Sequence, residues 1–265
     1  MSKNIKPKPI IIQIITAIII GYILFGLFLF FNQKAMLYYP DAQEFEQCEG
    51  FSDYKKITHN GTRFYFKQNS TKKVIIYYHG NAGSACDRSS FRPIFEQSDA
   101  SILFVEYSGY SNDNKTPSKK LILNDVQQIH DYITQHNFKN IVVYGQSIGS
   151  GAASYHASLG DVDKLLLVTP FSNLTYVVQS IYKIYPASLI LTEKYPNNTW
   201  LKNYQGEILI LHGDTDRIIP HEFSQKLYKE ISTPHKEYLL IEGKGHNTIW
   251  SSPLFQNKII EYITH

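Results

Sequence analysis

The pattern of apolar and polar positions divides this chain of 265 residues into two unlike parts. Residues 10–31 are a 22-residue run without a charged side chain, interrupted by the polar residues Gln13 and Thr16. At about 1.5 Å per residue, a helix of that length reaches about 33 Å, enough for a hydrocarbon core of about 30 Å. From residue 53 onward the pattern changes. Lys55–Thr58 and Arg63–Phe66 flank Asn60-Gly61, a hairpin signal. Val74–Tyr78, Ile102–Tyr107, Ile141–Tyr144, Leu165–Thr169, Ile208–Leu211 and Tyr238–Ile241 are short, nearly continuous apolar runs, as expected of strands buried on both faces. Segments with helical character fall between them: Ser118–His136, whose Leu121, Ile122, Val126, Ile129 and Ile133 recur at helical spacing, then Ser147–Leu159, Glu222–Ile231 and Leu254–Ile263. The alternation predicts an α/β fold: a mostly parallel, doubly wound sheet preceded by an antiparallel hairpin.

One connection exceeds a normal crossover. Thirty-eight residues separate Thr169 from Ile208, and they hold Phe171, Tyr176, Ile181, Tyr182, Tyr185, Leu189, Leu191, Tyr195 and Trp200. A small helical cap over about residues 171–205 is the expected reading; extra packing with no ligand contact is its alternative. The resulting division is an N-terminus over 1–9, a membrane span over 10–31, a stalk over 32–52 and an α/β domain over 53–265.

Charge refines the span. All 23 acidic residues follow residue 40, whereas Lys3, Lys6 and Lys8 precede the apolar run; beyond them 23 basic residues face 23 acidic ones. A neutral body without a basic run argues against nucleic acid as a partner. The apolar run ends in Phe30-Phe31-Asn32-Gln33-Lys34, with no small-x-small cleavage pattern, so it reads as an uncleaved signal-anchor. The basic flank places the N-terminus in the cytoplasm and the body on the other side of the membrane. Two cysteines, Cys48 and Cys86, cannot furnish a four-ligand metal site and form no Cys-x-x-Cys pattern; a single disulfide and two free thiols both remain open.

The chemistry centres on Gly145-Gln146-Ser147-Ile148-Gly149, which follows the run Ile141–Tyr144 and precedes the small residues Ser150-Gly151-Ala152-Ala153. Strand, sharp turn and helix around a Gly-x-Ser-x-Gly is the local pattern of a nucleophile elbow. Serine needs a base, and the base an orienting acid. In an open α/β sheet these groups lie beyond the C-terminal ends of strands. After Ile208–Leu211 comes His212-Gly213-Asp214-Thr215-Asp216, which offers two carboxylates; after Tyr238–Ile241 comes Glu242-Gly243-Lys244-Gly245-His246, which offers one histidine. An oxyanion would be held by two backbone N–H groups, that of Ile148 and one from the loop His79-Gly80-Asn81-Ala82-Gly83 after Val74–Tyr78. That loop lacks the Lys-Ser/Thr ending and the G-x-G-x-x-G spacing of phosphate-binding loops.

Four blocks together resemble the α/β-hydrolase superfamily, and within it the membrane-anchored Bem46-like and ABHD13-like proteins and their bacterial relatives labelled serine aminopeptidase-like. The blocks are His79-Gly80-Asn81-Ala82-Gly83, Gly145-Gln146-Ser147-Ile148-Gly149, His212-Gly213-x-x-Asp216-x-Ile218-Ile219-Pro220, and Gly245-His246, within about residues 55–264. The resemblance implies a triad of Ser147, Asp216 and His246, with Asp216 preferred over Asp214, and oxyanion donors on Asn81 and Ile148. It also implies hydrolysis of an ester or thioester, of a lipid or small acyl substrate, with no metal or organic cofactor. A serine peptidase or aminopeptidase is the alternative, and a catalytically silent binding protein on the same fold a further one. At Glu106-Tyr107-Ser108-Gly109-Tyr110-Ser111 the match is partial: related proteins usually carry Arg at the position of Ser108 and Gly at that of Ser111.

Overall fold

The computed structural model describes residues 8–264. The expected cytoplasmic N-terminus, with Lys3 and Lys6, lies outside the described residues. In chain order the elements are α1 (Lys8–Leu37), β1 (Tyr39–Pro40), β2 (Lys55–His59), β3 (Thr62–Lys67), β4 (Lys73–Tyr78), β5 (Ala82–Gly83), α2 (Arg92–Phe95), β6 (Ser101–Glu106), α3 (Lys119–Gln135), β7 (Asn140–Gln146), α4 (Gly149–Leu159), β8 (Lys164–Val168), α5 (Leu174–Ile181), α6 (Ala187–Ile190), α7 (Asn197–Trp200), β9 (Glu207–Gly213), α8 (Glu222–Glu230), β10 (Lys236–Ile241) and α9 (Pro253–Thr264).

Eight strands form one sheet in the order β10-β9-β8-β7-β4-β6-β3-β2. The six from β4 onward, β5 excepted, are mutually parallel, and β3 and β2 add antiparallel at one edge. The hairpin turns at Asn60 and Gly61, both at positive φ, which a two-residue turn requires. The apolar runs of β4 and β6–β9 are buried because helices cover both faces: α3, α4 and α8 on one, α2 and α9 on the other. Local signals set the helix ends. Ser118 caps α3, its hydroxyl accepting the Leu121 N–H at 3.3 Å, and Asn137 leaves the helix at positive φ. Asn173 caps α5 through the N–H of Thr175.

Chain order and sheet order part company at β4, which pairs with β6 on one side and β7 on the other. This is the switch point at which α/β sheets open a crevice beyond their C-terminal strand ends.

The long connection holds α5, α6 and α7. Residues 32–52 do not stand clear of the body. Helix α1 runs through Asn32-Gln33-Lys34 to Leu37, because Gln33 Oε1 accepts the N–H groups of Thr192 (2.7 Å) and Glu193 (3.2 Å) and packs these polar residues against the cap segment. Tyr38, Phe45 and Phe51 are buried, and β1 pairs in parallel with β5. Cys48 and Cys86 are joined in a disulfide, which fastens this lead-in to the segment just past β5. The elbow helix begins at Gly149 rather than Ser147, because Ser147 itself adopts φ +54°.

Candidate active site

Ser147 follows β7 directly. Its φ of +54° lies in the left-handed region that costs a residue with a side chain about 1–2 kcal/mol. Two features hold it there: its N–H donates to Val168 O at 2.9 Å, and α4 starts immediately afterwards. The turn needs a bare α-carbon at Gly149. A methyl group there would come within 2.3 Å of His79 O and 2.4 Å of Tyr78 O, so the elbow lies flush against the end of β4.

His246 enters from the loop after β10 and Asp216 from the loop after β9. His246 Nε2 lies 3.0 Å from Ser147 Oγ, and His246 Nδ1 lies 2.7 Å from Asp216 Oδ2. An ionised carboxylate only accepts, so Nδ1 carries the proton and Nε2 presents its lone pair to the serine hydroxyl. Asp214 makes no bond to His246, and among the two carboxylates of this loop Asp216 alone meets the histidine.

Asp216 is supplied with four donors. Its Oδ1 accepts the N–H groups of Ile218 (2.8 Å) and Ile219 (2.9 Å). Its Oδ2 accepts from His246 and from His212 Nε2 at 3.1 Å. His212 Nε2 also faces Ile219 O at 2.8 Å, and a carbonyl can only accept, which fixes the proton on that nitrogen. Burial opposes ionisation of Asp216, but the hydrogen bonds from His212, His246 and the Ile219 N–H outweigh it and hold the carboxyl well below the usual carboxylate range.

The loop after β4 is braced at each carbonyl. Tyr107 Oη donates to His79 O at 3.0 Å and Tyr110 Oη to Asn81 O at 2.8 Å. His79 Nδ1 donates to Gly80 O at 2.8 Å. This last bond fixes the plane of the Gly80–Asn81 peptide, and in a trans peptide the Asn81 N–H then points to the opposite side. Gly80 lies beside Ser147, its absent side chain 3.7 Å from Ser147 Cβ. Neither the Asn81 N–H nor the Ile148 N–H donates to a protein acceptor among the described residues. Beneath the loop, buried Glu106 accepts the Ala85 N–H (3.0 Å) and the Ser111 hydroxyl (2.6 Å), and its Oε1 lies 3.5 Å from His79 Nε2. The departures from the family pattern in this stretch are both accommodated. Ser111 sits at φ +46°, the backbone of the glycine usual there. Ser108, in place of arginine, bonds through its N–H and hydroxyl to buried Asp125.

The chain leaving α1 is tied to the same loop. Asn81 Nδ2 donates to Leu37 O at 3.1 Å, and the Tyr39 N–H donates to Asn81 O at 2.9 Å. The structure thus brings together Ser147, Asp216 and His246, and sets Asn81 and Ile148 beside them. Sequence reasoning treated His79 and His212 only as members of motif blocks. Their work is to orient a peptide plane and a carboxylate, and the one signal for it is their position at a strand's C-terminal end.

No family model matches the chain. It is 24% identical over 257 residues to the uncharacterized protein Rv2307c of Mycobacterium tuberculosis, with 92% of this chain and 90% of that protein covered. It is 24% identical to lysophosphatidylserine lipase ABHD12 of Macaca fascicularis over 73% of its own length and only 56% of that protein's. Among solved structures, the Pyrococcus furiosus esterase Pf2001 superposes with a TM-score of 0.69 at 17% identity, over 86% of this chain and 98% of the esterase. Est1E from Butyrivibrio proteoclasticus gives a TM-score of 0.62 at 18% identity, over 79% and 97%. With its sheet order and its elbow, the chain has the α/β-hydrolase fold, and its relatives and structural neighbours include proteins described as lipases and esterases.

Proposed function

We propose that the protein is a membrane-anchored serine hydrolase that cleaves carboxylic ester or thioester bonds through an acyl-enzyme on Ser147. One observation carries the reading: the continuous line of hydrogen bonds from Ser147 Oγ through His246 to Asp216. As Ser147 Oγ attacks the carbonyl carbon, its proton passes to His246 Nε2. The oxyanion is held by the N–H groups of Asn81 and Ile148, and Asp216 stabilises the imidazolium that forms. The proton then leaves with the departing alcohol or thiol. Water, deprotonated by His246, attacks the acyl-serine and releases the acid, restoring the serine hydroxyl. No step calls on a metal or an organic cofactor.

Three features support a lipid or acyl ester as substrate and the membrane as workplace. Helix α1 is apolar over residues 10–31 and almost wholly exposed to its surroundings there, as a span would be. The relative ABHD12 is described as a lysophosphatidylserine lipase. The four motif blocks favour the Bem46-like and ABHD13-like branch, whose members are anchored. The lysines before the span favour a cytoplasmic N-terminus, and the Cys48–Cys86 disulfide favours a body in an oxidising compartment on the other side.

Hydrolysis of nitrophenyl esters of increasing chain length, run beside aminoacyl nitroanilides, tests the substrate class, with Ser147→Ala as control. Ester turnover that vanishes in the control is expected. Preference for the anilides would move the protein to the peptidases, and no turnover of either, with Ser147 unreactive, to the silent binding proteins.

A further inference from the structure

The body's most exposed large apolar residues cluster at one place. Ile181 (62% exposed), Ile184 (74%) and Leu189 (80%) lie at the tip of the cap, in the turn that meets α1, whereas exposed Tyr176, at the start of α5, lies under Lys226 Nζ. The others outside α1, namely Tyr39, Ile218, Leu240 and Leu254, are scattered in sequence. Left in water, exposed aliphatic side chains forgo the free energy of burial, and a contiguous apolar patch marks a contact surface.

Helix α1 identifies what the patch meets. Tyr22 Oη donates to Ile184 O at 2.9 Å, Tyr185 Oη donates to Tyr22 O at 3.0 Å, and the two rings stack at 4.5 Å. Gly26 lets the helix come close, since a methyl group there would stand 3.3 Å from the Tyr185 ring. Tyr22 is nine residues short of Phe31, where the apolar run ends, which is about 14 Å back along the helix axis. The cap tip therefore meets the anchor at a level that lies within the hydrocarbon when residues 10–31 span it.

Several of the tip's backbone polar groups are also satisfied internally, as backbone in lipid requires. Gln179 Nε2 donates to Tyr182 O (3.3 Å) and Lys183 O (3.1 Å), and Gln179 Oε1 accepts the Ala187 N–H at 3.0 Å. Tyr22 takes the Ile184 carbonyl. The one charged side chain at the tip is exposed Lys183, whose aliphatic stem can lift its ammonium toward the headgroups.

An apolar slot runs between α1 and the cap, walled by Leu29, Met36 and Leu37 on the helix and by Val178, Ile181 and Leu191 on the cap. Its lower end, at Leu29, is inside the apolar run. At its upper end, the carbonyl of Leu37 holds Asn81 of the loop beside Ser147. We propose that the cap tip is immersed in the same bilayer as α1, and that the slot between them admits one acyl chain of a bilayer lipid ester toward Ser147. This rests on the anchored-hydrolase reading and adds to it a route: the substrate leaves the leaflet sideways and never crosses water.

The test uses the full chain in phospholipid vesicles. Because the two native cysteines are paired, a single added cysteine takes a fluorophore uniquely. Labels at Ile184→Cys and Leu189→Cys should be quenched by nitroxide-bearing phospholipids several-fold more than one at Asn203→Cys, and as strongly as one at Leu24→Cys in the span. Quenching at 24 with none at 184 and 189 overturns the immersed cap alone; no quenching at 24 overturns the anchor with it. Ile181→Glu, at an exposed position that spares the fold, should lower kcat/KM for a long-chain ester in vesicles at least 10-fold more than for a short soluble ester. Equal effects on both esters, or none on either, would remove the slot as the route. Failure of the wild type to cleave either ester would refute the hydrolase reading, and the route to Ser147 with it, while the labels still separate that result from failure of the immersed cap.

Discussion

Replacing Gly149 by alanine adds one methyl group at the seam between the elbow and the loop after β4, and touches none of the three residues Ser147, Asp216 and His246. The added Cβ would lie 2.3 Å from His79 O and 2.4 Å from Tyr78 O, against about 3.4 Å for an ordinary contact. Both neighbours are backbone, so neither can rotate away, and the seam must open by about 1 Å. That separates the two proposed oxyanion donors, since Ile148 moves with the elbow and Asn81 with the loop. A misplacement of about 1 Å costs on the order of 100-fold, and the loss of one oxyanion donor about 10²–10³-fold. The chain should nevertheless stay folded: overpacking costs about 1–3 kcal/mol, and alanine recovers up to about 1 kcal/mol of helix propensity relative to glycine. The oxyanion exists only past the ground state, so kcat and kcat/KM should fall together by about 100-fold while KM stays near its wild-type value. Steady-state kinetics on a soluble nitrophenyl ester, with a denaturation curve of the same variant, gives both numbers. Wild-type kcat in folded Gly149→Ala would refute the placement of the oxyanion hole between Asn81 and Ile148.

Other consequences are as direct. Because Asp216 is held ionised far below the working range, it adds no titration step to the acid limb of kcat/KM, which should fall with unit slope, and Asp216→Asn should lower kcat by about 10⁴-fold, the size of the effect where an asparagine supplies the wrong tautomer; a limb of slope two, or a mild Asp216→Asn, would count against the assignment. Buried His156, pushed down to about 3 by desolvation and by the neighbouring His130, stays neutral in the folded protein while the unfolded chain takes up a proton below about 6.5, so stability should drop by about 2 kcal/mol between pH 7 and pH 5, and His156→Gln should flatten that slope in urea titrations at the two pH values. Reduction of the Cys48–Cys86 disulfide, or its replacement by two serines, should cost about 4 kcal/mol for a separation of 38 residues in the chain-entropy account, read as a lower denaturation midpoint; an unchanged midpoint would mean that the reduced chain keeps the closure by other means.

Much of this was legible in the sequence, for physical reasons that differ by element. The sheet was legible because strands buried on both faces must be apolar throughout, and β4, β7, β8 and β9 fall on the runs that said so. Ser147, Asp216 and His246 were findable because each must follow a strand's C-terminal end, a constraint that left few candidates. The start of α4 was misplaced by two residues, since a serine at positive φ cannot open a helix and nothing in its residue type announces that φ. The strand within the lead-in was not legible. Strand β1 is two residues long, and Tyr39-Pro40 becomes a strand only because the Asn81 carbonyl is there to receive its N–H. The extension of α1 past the apolar run was hidden likewise: hydropathy marks what lipid tolerates, whereas Gln33 continues the helix through partners in a segment about 160 residues away.

The central claim is that Ser147 is an activated nucleophile. A fluorophosphonate offers it a phosphorus centre and reads that property without knowledge of the substrate. The account predicts stoichiometric labelling of the folded protein, mapped by mass spectrometry to the peptide containing Ser147, and its complete loss in Ser147→Ala. Labelling that persists in Ser147→Ala, or a folded wild type that takes no label, would contradict it.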